Sequence, residues 1–408
     1  MSLLRIIRND FELLSPAGDF ERLEMALCYG ADAVYLAGRE FGMRAAAANF
    51  DDESLRRAVS LAHRLGKKVY VTVNTLPREE ELNRLPAYLE FLQDAKVDAL
   101  IVCDLGVIAL AKRFAPKVAL HVSTQLGVVN SATANVLHAM GADTVVLARE
   151  LSLEEIRKIR ANTPSELRLE AFVHGAMCIS FSGRCLLSNY LTGRDANRGE
   201  CAQPCRWKYA LVEEKRPGQY FEISEDGGTF IMNSQDLNMI EHLQDLADAG
   251  VSSFKIEGRT KSAYYTAAVT NAYRHAIDAI AVRDEVPEVW VRETEMVSHR
   301  PYCTGFYLDK PGQVTEGPNY FSGADVMAVV ERCDEEGNAV LTQRNKFSRG
   351  DTLELLTPEN EPVSFVAERL FNTYGEEIED ARHAMMEVHM HLPMAAPRLS
   401  IVRKRRSS

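Results

Sequence analysis

The chain has 408 residues, 46% of them hydrophobic, which is enough for one large domain and a smaller second one. It contains no apolar run of the roughly 18 residues that a transmembrane helix needs, and its start, MSLLRIIRNDFELLSPAG, lacks the features of a signal peptide. The net charge of −11 argues against a surface that is basic throughout, but it leaves room for a local basic patch. We therefore expect a cytoplasmic protein with reduced thiols and no membrane partner.

Short apolar runs alternate with helical stretches, mostly at spacings of about 20 to 35 residues, as is typical of βα units. The predicted strands are ELLS (12–15), AVYLAG (33–38), KVYVTVN (68–74), ALIVCD (99–104), ALHVSTQ (119–125), TVVLARE (144–150), RLEAFVHG (168–175) and SSFKIEG (252–258). A similar segment closes a helix and enters a strand four times, as in GADAVYL and GADTVVL. Eight βα units predict a (β/α)8 barrel of the TIM type, and a doubly wound open sheet is the alternative.

Polar side chains cluster at the predicted carboxyl ends of these strands, where a barrel of this type carries its chemistry. The candidate substrate-binding residues at these ends are Asn74, Ser123, Gln125 and Arg259, and the candidate catalytic residues are Arg149, His174 and Glu257. Strand alternation gives His121, Ser123 and Gln125 one parity, and it does the same for Glu170, Phe172 and His174. If these faces point inward, the interior of the barrel is unusually charged.

Glu170 and Lys255 complete the candidate catalytic residues. They fall on strands seven and eight, which are neighbours in a barrel, so their charges could neutralise each other. An unpaired buried charge would cost too much free energy to keep. A purely structural ion pair and a role in binding the substrate are both open.

The connection between strands seven and eight is unusually long, because about 80 residues separate His174 from Ser252 and an ordinary βαβ unit needs roughly 30. It carries four of the chain's eight cysteines, Cys178, Cys185, Cys201 and Cys205, in the pattern C-x6-C-x15-C-x3-C. Five Lys or Arg residues, against two acids, make the segment 174–208 a basic island, within which Arg184 and Arg198 are candidate substrate-binding residues. We expect this loop to cover the mouth of the barrel.

The four clustered cysteines are candidate metal ligands. Disulfides are a poor explanation in a reducing compartment. Zinc usually takes cysteines in close pairs, which fits Cys201 and Cys205 but not Cys178 and Cys185, whereas iron–sulfur clusters accept more varied spacing. A [4Fe–4S] cluster is therefore favoured over zinc, and redox-active free thiols are a further alternative. The sequence has no H-E-x-x-H or G-x-S-x-G motif, and a Cys178–His174 pair would leave three cysteines unexplained.

The sequence pattern changes after the eighth strand. KSAYYTAAVTNAYRHAIDAI predicts a helix that completes the barrel, and from about Gly312 alternating apolar and polar residues around turns predict a small antiparallel β domain. The predicted organisation is a barrel over 1–285 with the cysteine insertion at 175–250, a connecting segment over 286–311, and a β domain over 312–408. The basic run RKRR (403–406) is expected to be a solvated tail.

Several motifs together resemble the collagenase-like peptidases of unassigned catalytic type, peptidase family U32. The signature is similar to E-x-F-x-H-G-x-x-C followed by G-x-C and L-S, and it stands here as EAFVHGAMCISFSGRCLLS, residues 170–188. The segments ELLSPAGDFERLEMALCYGADAVYLAG, HVSTQLGVVN, VVLARELSLEEI and FKIEGR also match, so the resemblance covers essentially the whole chain. SHRPYCTGFY (298–307) and NKFSRGD (345–351) resemble the branch that carries a C-terminal β domain.

This resemblance implies one of two activities. Some members of the family are called proteases, whereas others are oxygen-independent hydroxylases with a [4Fe–4S] cluster that act on a tRNA wobble uridine, a ribosomal RNA cytidine or a ubiquinone precursor. The branch with the β domain implies formation of 5-hydroxyuridine with prephenate as the hydroxyl source, the tRNA anticodon region as partner, and Cys178, Cys185, Cys201 and Cys205 as cluster ligands. A homologous partner subunit is also possible. We expect an RNA hydroxylase; a metal-dependent peptidase, a hydroxylase of another RNA and a non-catalytic scaffold are the alternatives.

Overall fold

A computed structural model describes residues 11–43, 48–207, 211–212, 220–221, 234–311 and 320–406. The strands before the C-terminal domain are β1 (Glu12–Pro16), β2 (Ala33–Leu36), β3 (Lys68–Val73), β4 (Ala99–Val102), β5 (Ala119–Val122), β6 (Thr144–Val146), β7 (Arg168–Ala176), β8 (Leu211–Val212), β9 (Tyr220–Phe221), β10 (Asp236–Asn238), β11 (Ser253–Ile256) and β12 (Tyr302–Cys303). The strands β1 to β7 pair in parallel in chain order, and β11 closes the ring by pairing in parallel with both β7 and β1. The predicted (β/α)8 barrel is thus confirmed, and the open sheet is excluded.

The helices of this part are α1 (Phe20–Cys28), α2 (Asp52–Arg64), α3 (Glu79–Leu82), α4 (Leu85–Asp94), α5 (Leu105–Phe114), α6 (Ser131–Ala139), α7 (Leu153–Ala161), α8 (Leu187–Thr192), α9 (Leu243–Asp248), α10 (Ala263–Ala281) and α11 (Glu288–Glu293). Most of the long helices start at an Asp, Asn or Ser whose side chain accepts a hydrogen bond from a first-turn amide, as Asp104 does from Val107. Their buried faces and the outward side chains of the strands form the main apolar core. Within the described chain, no helix is both long enough and apolar enough to span a bilayer.

The interior of the barrel is charged at its amino-terminal end, as the alternation pattern indicated. The buried carboxylate of Glu12 accepts hydrogen bonds from the Tyr70 hydroxyl at 2.7 Å and from Ser253 Oγ at 3.0 Å, and it lies 2.9 Å from the guanidinium of Arg168. A small apolar cluster that includes Tyr35 fills another part of the interior. These contacts satisfy the buried charge, so the fold can retain it.

A short antiparallel extension lengthens the sheet beside the long insertion. β10 runs antiparallel to β7, and β12 pairs in parallel with β10. The Tyr307 hydroxyl, a few residues after β12, donates to the carbonyl of Phe172 at 2.8 Å. Residues of the predicted connecting segment therefore pack directly on the barrel.

The C-terminal strands are β13 (Ala324–Cys333), β14 (Asn338–Gln343), β15 (Phe347–Ser348), β16 (Thr352–Leu356), β17 (Val363–Val366), β18 (Leu370–Phe371), β19 (Glu377–Ile378), β20 (Asp380–Ala381), β21 (Glu387–His391) and β22 (Ile401–Arg405). The main sheet has the order β17-β16-β22-β13-β14-β21-β18-β19, its pairs are antiparallel, and it encloses an apolar core of its own. This is the predicted antiparallel β architecture.

The prediction of a solvated basic tail was wrong for Arg403, whereas Arg405 and Arg406 are exposed. Arg403 lies in the central strand β22 and is fully buried. Its guanidinium lies 2.6 Å from Glu293 of α11 and 2.9 Å from Glu354 of β16, and it therefore ties the β domain to the barrel. The run of basic residues predicted exposure at Arg403 as well, but the buried acids Glu293 and Glu354 compensate its charge.

Candidate active site at the mouth of the barrel

One cavity of about 210 Å³ lies between the carboxyl ends of the strands and the cysteine insertion, and we call it the mouth cavity. Eleven of the fifteen predicted site residues line it: Asn74, Ser123, Gln125, Arg149, Lys255, Glu257, Arg259, Cys178, Cys185, Cys201 and Cys205. Four do not line it: Glu170, His174, Arg184 and Arg198. The sequence thus predicted that these eleven side chains lie together, although most of the residues that line the cavity were not among the predicted ones.

Lys255 is a buried cation in the wall of the mouth cavity. Its Nζ lies 2.6 Å from Oε1 of Glu170, and the other oxygen of that carboxylate accepts from Ser253 Oγ at 3.3 Å. The Lys255 ammonium also lies 4.7 Å from the ring centroid of Tyr35 and 5.4 Å from that of Phe172. Glu170 is fully buried behind the wall. The predicted ion pair exists, and it presents only its cationic partner to the cavity.

Arg149 is a second cation in the wall of the mouth cavity, and two contacts fix its position. Its Nη1 donates to the carbonyl of Ala176 at 2.7 Å, and its guanidinium carbon stacks 3.8 Å from the centroid of Phe172. Its buried Nε has no hydrogen-bond partner among the residues that the structure describes. A buried donor in this state is suited to an acceptor supplied by a ligand.

The polar strand ends are positioned by local turns. Asn74 Oδ1 accepts from the amide of Met43, and Ser123 Oγ accepts from the amide of Gln125. Strand β5 ends at Val122, and a 3-10 turn over Thr124–Leu126 follows it, so the predicted strand to Gln125 was too long. Gln125 reaches the cavity from this turn rather than by strand alternation.

Glu257 is the acidic residue of the cavity wall. One of its carboxylate oxygens accepts from the Tyr35 hydroxyl at 3.3 Å, and its main-chain carbonyl accepts from the Tyr265 hydroxyl at 2.9 Å. Tyr35 lines the same cavity and was not among the predicted site residues. The sequence could have indicated this residue, because Tyr35 lies in the predicted strand AVYLAG (33–38).

His174 points away from the cavity, contrary to the orientation predicted from strand parity. The pairing of β7 with β11 shifts between Phe172 and His174, so Val173 is an extra residue and the side chain that follows it changes faces. The His174 ring lies against Tyr265, Tyr273 and Tyr302, and burial lowers its pKa to about 3. A neutral histidine in a tyrosine cage is not placed to serve the mouth cavity.

The four clustered thiols face one space. Burial raises the pKa of Cys205; Arg206 opposes this shift, and Cys178, Cys201 and Cys185 add to it, so Cys205 lies within electrostatic reach of the other three thiols. Across the described ranges, no three His, Cys, Asp or Glu side chains are already gathered closely enough to hold a metal ion. Four thiols around a cavity fit the donor set of an iron–sulfur cluster, which is larger than a single ion.

The cysteine insertion is fastened to the barrel by ion pairs. Arg198 forms two hydrogen bonds to the carboxylate of Glu81, with N···O distances of 2.7 and 3.0 Å. The Arg78 guanidinium lies 3.4 Å from Asp195 of the insertion. We call these two pairs the latch. Arg198 was predicted to bind the substrate, but its guanidinium is paired with Glu81 of α3.

The other arginines of the insertion are distributed around the cavity. Arg184 is exposed and donates to the carbonyl of Leu126 at 3.4 Å, outside the lining of the cavity. Arg194 and Arg206 do line it, although neither was among the predicted site residues. Both belong to the basic island, so the composition of the segment predicted the charge but not which side chains face inward.

The fold and the site define a TIM-type barrel whose catalytic face is covered by a cysteine-rich, basic insertion. The chain belongs to peptidase family U32: the family model matches residues 18–317, and the model of the family's C-terminal domain matches residues 322–403. This confirms the family recognised from the motifs.

Three relatives span most of the chain. The "tRNA hydroxylation protein P1" of Bacillus subtilis is 38% identical over 95% of this chain and 93% of its own length. The "tRNA hydroxylation protein P" of Escherichia coli is 38% identical, over 90% of both chains. The "Collagenase" of Porphyromonas gingivalis is 35% identical, over 78% of both chains.

Proposed function

We propose that this protein is an RNA hydroxylase that forms 5-hydroxyuridine at the wobble position of tRNA. In this proposal a [4Fe–4S] cluster is held by Cys178, Cys185, Cys201 and Cys205, and prephenate supplies the hydroxyl group. The observation that carries it is the mouth cavity, where the four thiols and the polar strand ends face one space. The names of the two tRNA hydroxylation relatives support RNA as the substrate.

The charge of the cavity suits a small anionic co-substrate. Five cationic residues, Arg149, Arg194, Arg206, Lys255 and Arg259, and one carboxylate, Glu257, line it. Lys255 is neutralised from behind by Glu170, but the cavity still has an excess of positive charge. Prephenate carries two carboxylates, which such a wall can bind and orient by charge-assisted hydrogen bonds.

The residues of this chain would bind, orient and shield the reactants. Arg149 is positioned by Phe172 and the Ala176 carbonyl, and Lys255 by Glu170, so an anion bound between the two cations would be oriented relative to the thiols. A bound iron–sulfur cluster would supply a redox-active, Lewis-acidic iron centre beside this anion. The target uridine must leave its stack to enter, which costs least for an unpaired base in a loop.

The proposal is tested by nucleoside mass spectrometry on tRNA from a strain that lacks the gene. We expect 5-hydroxyuridine derivatives to be absent, to return with the wild-type gene, and to stay absent with Cys201→Ala. The control is Cys333→Ala, which removes a half-buried thiol of the β domain. Anaerobic iron and sulfide analysis of the same proteins tests the cluster separately. Unchanged tRNA in the deletion strain would refute the substrate assignment.

The name of the collagenase relative makes a peptidase the second candidate. A thiol peptidase needs a histidine beside its cysteine, but the His174 side chain lies among tyrosines on the other face of β7. Hydrolysis of gelatin by the purified protein, lost on Glu257→Gln and retained without iron, would favour the peptidase.

A further inference from the structure

The rim of the mouth cavity carries a concentration of exposed apolar side chains. Of the seventeen large hydrophobic residues that are exposed in the described chain, five lie within positions 181–207: Phe181, Leu186, Tyr190, Leu191 and Trp207. Tyr190 is 82% exposed. Apolar side chains crowded on the surface of a protein mark a site of interaction.

Tyr190 and Trp207 belong to two segments of the insertion that pack side by side. The amide of Ala202 donates to Ser188 Oγ at 3.0 Å, so the turn over Pro204–Arg206 is held beside α8. Tyr190 projects from that helix, and Trp207 follows that turn directly. Cys185, Leu187 and Arg206, which alternate with the exposed residues along the chain, line the mouth cavity. The surface therefore borders the entrance to the cavity.

Positive charges outnumber negative ones around this surface, on a chain whose net charge is −11. Arg184 and Arg194 are exposed and Arg206 is half-buried, whereas of the two acids in this segment Glu200 is exposed and Asp195 is paired with Arg78 and Asn189. Two of these arginines line the cavity and the third is exposed beside it. Aromatic rings and guanidinium groups together are the combination on which unpaired nucleic-acid bases stack, while the cations hold the phosphates.

We propose that Tyr190 and Trp207 form a stacking platform for the unpaired bases that flank the target nucleotide of an RNA loop. The platform rests on the proposed function, because an RNA whose target base enters the mouth cavity would place its flanking bases at this rim. Arg184, Arg194 and Arg206 contact the phosphates of the same loop. The target base then enters the mouth cavity while its neighbours stay outside, stacked on the rings.

The test measures binding of two fluorescein-labelled RNAs to the holoprotein, a stem-loop with an unpaired loop and a blunt duplex of the same length. We expect Tyr190→Ala and Trp207→Ala each to weaken binding of the stem-loop on the order of 10-fold and to leave the duplex affinity nearly unchanged. Tyr190→Phe keeps the ring and should bind like the wild type. The matched control is Tyr374→Ala, which removes a tyrosine that is 86% exposed on the β domain.

Two further measurements separate the possible failures. Wild-type affinity for the stem-loop in both alanine variants would overturn the platform, and if the wild type still forms the hydroxylated nucleoside, the proposed function stands. A change of oligomeric state in these variants by light scattering, with RNA binding intact, would instead assign the surface to a protein partner and also overturn the platform. If the wild type binds neither RNA, both proposals fail.

Discussion

Arg198 in the cysteine insertion and Glu81 in α3 form a bidentate ion pair, although 117 positions separate them in the chain. The hydrogen bonds from Arg198 and from the Arg78 amide lower the pKa of Glu81 to about 2. The pair is partly exposed, so its contribution to global stability is about 1 kcal/mol or less. Its main effect is therefore local: it holds the insertion against the barrel.

Glu81→Gln should release the insertion without unfolding the protein. We expect Cys185, Cys201 and Cys205 of the reduced, metal-free protein to react several-fold faster with a thiol reagent, as measured site by site by mass spectrometry. Glu80→Gln removes the same charge from the neighbouring position and should leave these rates unchanged. The double exchange Glu81→Arg with Arg198→Glu should restore slow labelling. Equal rates in Glu81→Gln and the wild type would show that the latch does not hold the loop.

We also expect the attachment of the insertion through Arg198 and Glu81 to weaken in acid. Because the pKa of Glu81 is lowered in the folded state, the pair stabilises the protein above the ordinary pKa of a glutamate, and this contribution is lost as the pH falls toward 2. Thiol labelling should therefore slow less on acidification than the falling thiolate fraction of a free thiol predicts. In Glu81→Gln the labelling rate should follow the thiolate fraction alone.

Lys255→Met should destabilise the barrel because it leaves the carboxylate of Glu170 buried without its cation. We expect a loss of about 3 to 5 kcal/mol in the free energy of unfolding, measured by urea denaturation. Adding Glu170→Gln to this variant should recover part of the loss, because the unpaired charge is then gone. If the loss in the free energy of unfolding of the double variant equals the sum of the losses of the two single variants, the two residues are not directly coupled.

His121 and His174 should make the protein less stable in mild acid. Burial lowers the pKa of each to about 3, so both stay neutral in the folded protein and gain a proton on unfolding below their ordinary pKa of 6.5. Stability is therefore lost as the pH falls from about 6.5 toward 3, by about 2 kcal/mol per histidine at pH 5. His174→Phe should reduce the difference in unfolding free energy between pH 7.5 and pH 5. An unchanged difference would mean that His174 is protonated in the folded state.

Arg403→Met should weaken the attachment of the β domain to the barrel. The substitution leaves Glu293 and Glu354 buried without their shared cation, which we expect to cost about 3 to 5 kcal/mol. Calorimetry should show a lower midpoint or a separate transition for the β domain. Arg406→Met breaks an exposed pair with Asp325 and should change the stability by less than about 1 kcal/mol. Similar effects of the two substitutions would contradict a special role for the buried arginine.

The architecture was predictable because the βα period is strong and because parallel strands gather their carboxyl ends at one place. That rule alone put Asn74, Arg149 and Lys255 at the same mouth as Cys178, and the structure agrees. The interior ion pair of Glu170 and Lys255 was also predictable, since a buried charge needs a partner on a neighbouring strand.

The errors have local physical causes. Strand parity fails at His174 because a bulge inserts one residue, and nothing in the apolar pattern of RLEAFVHG marks that position. The partner of Arg198 lies in a distant helix, so no local pattern could have indicated it. The prediction for Arg403 was wrong because charge alone does not distinguish a solvated residue from one paired with buried acids.

The first cysteine is anchored differently from the other three. β7 runs on to Ala176, and the carbonyl of Met177 accepts a hydrogen bond from Ser234 Oγ at 2.9 Å, so Cys178 follows a segment that the closed barrel fixes on both sides. Cys185, Cys201 and Cys205 depend on a loop tied down by short turns and the latch. The insertion thus joins one thiol that continues a barrel strand to three thiols on a loop that is attached by side-chain contacts. Loss of the latch would therefore change the positions of these three thiols relative to Cys178 and leave Cys178 itself in place.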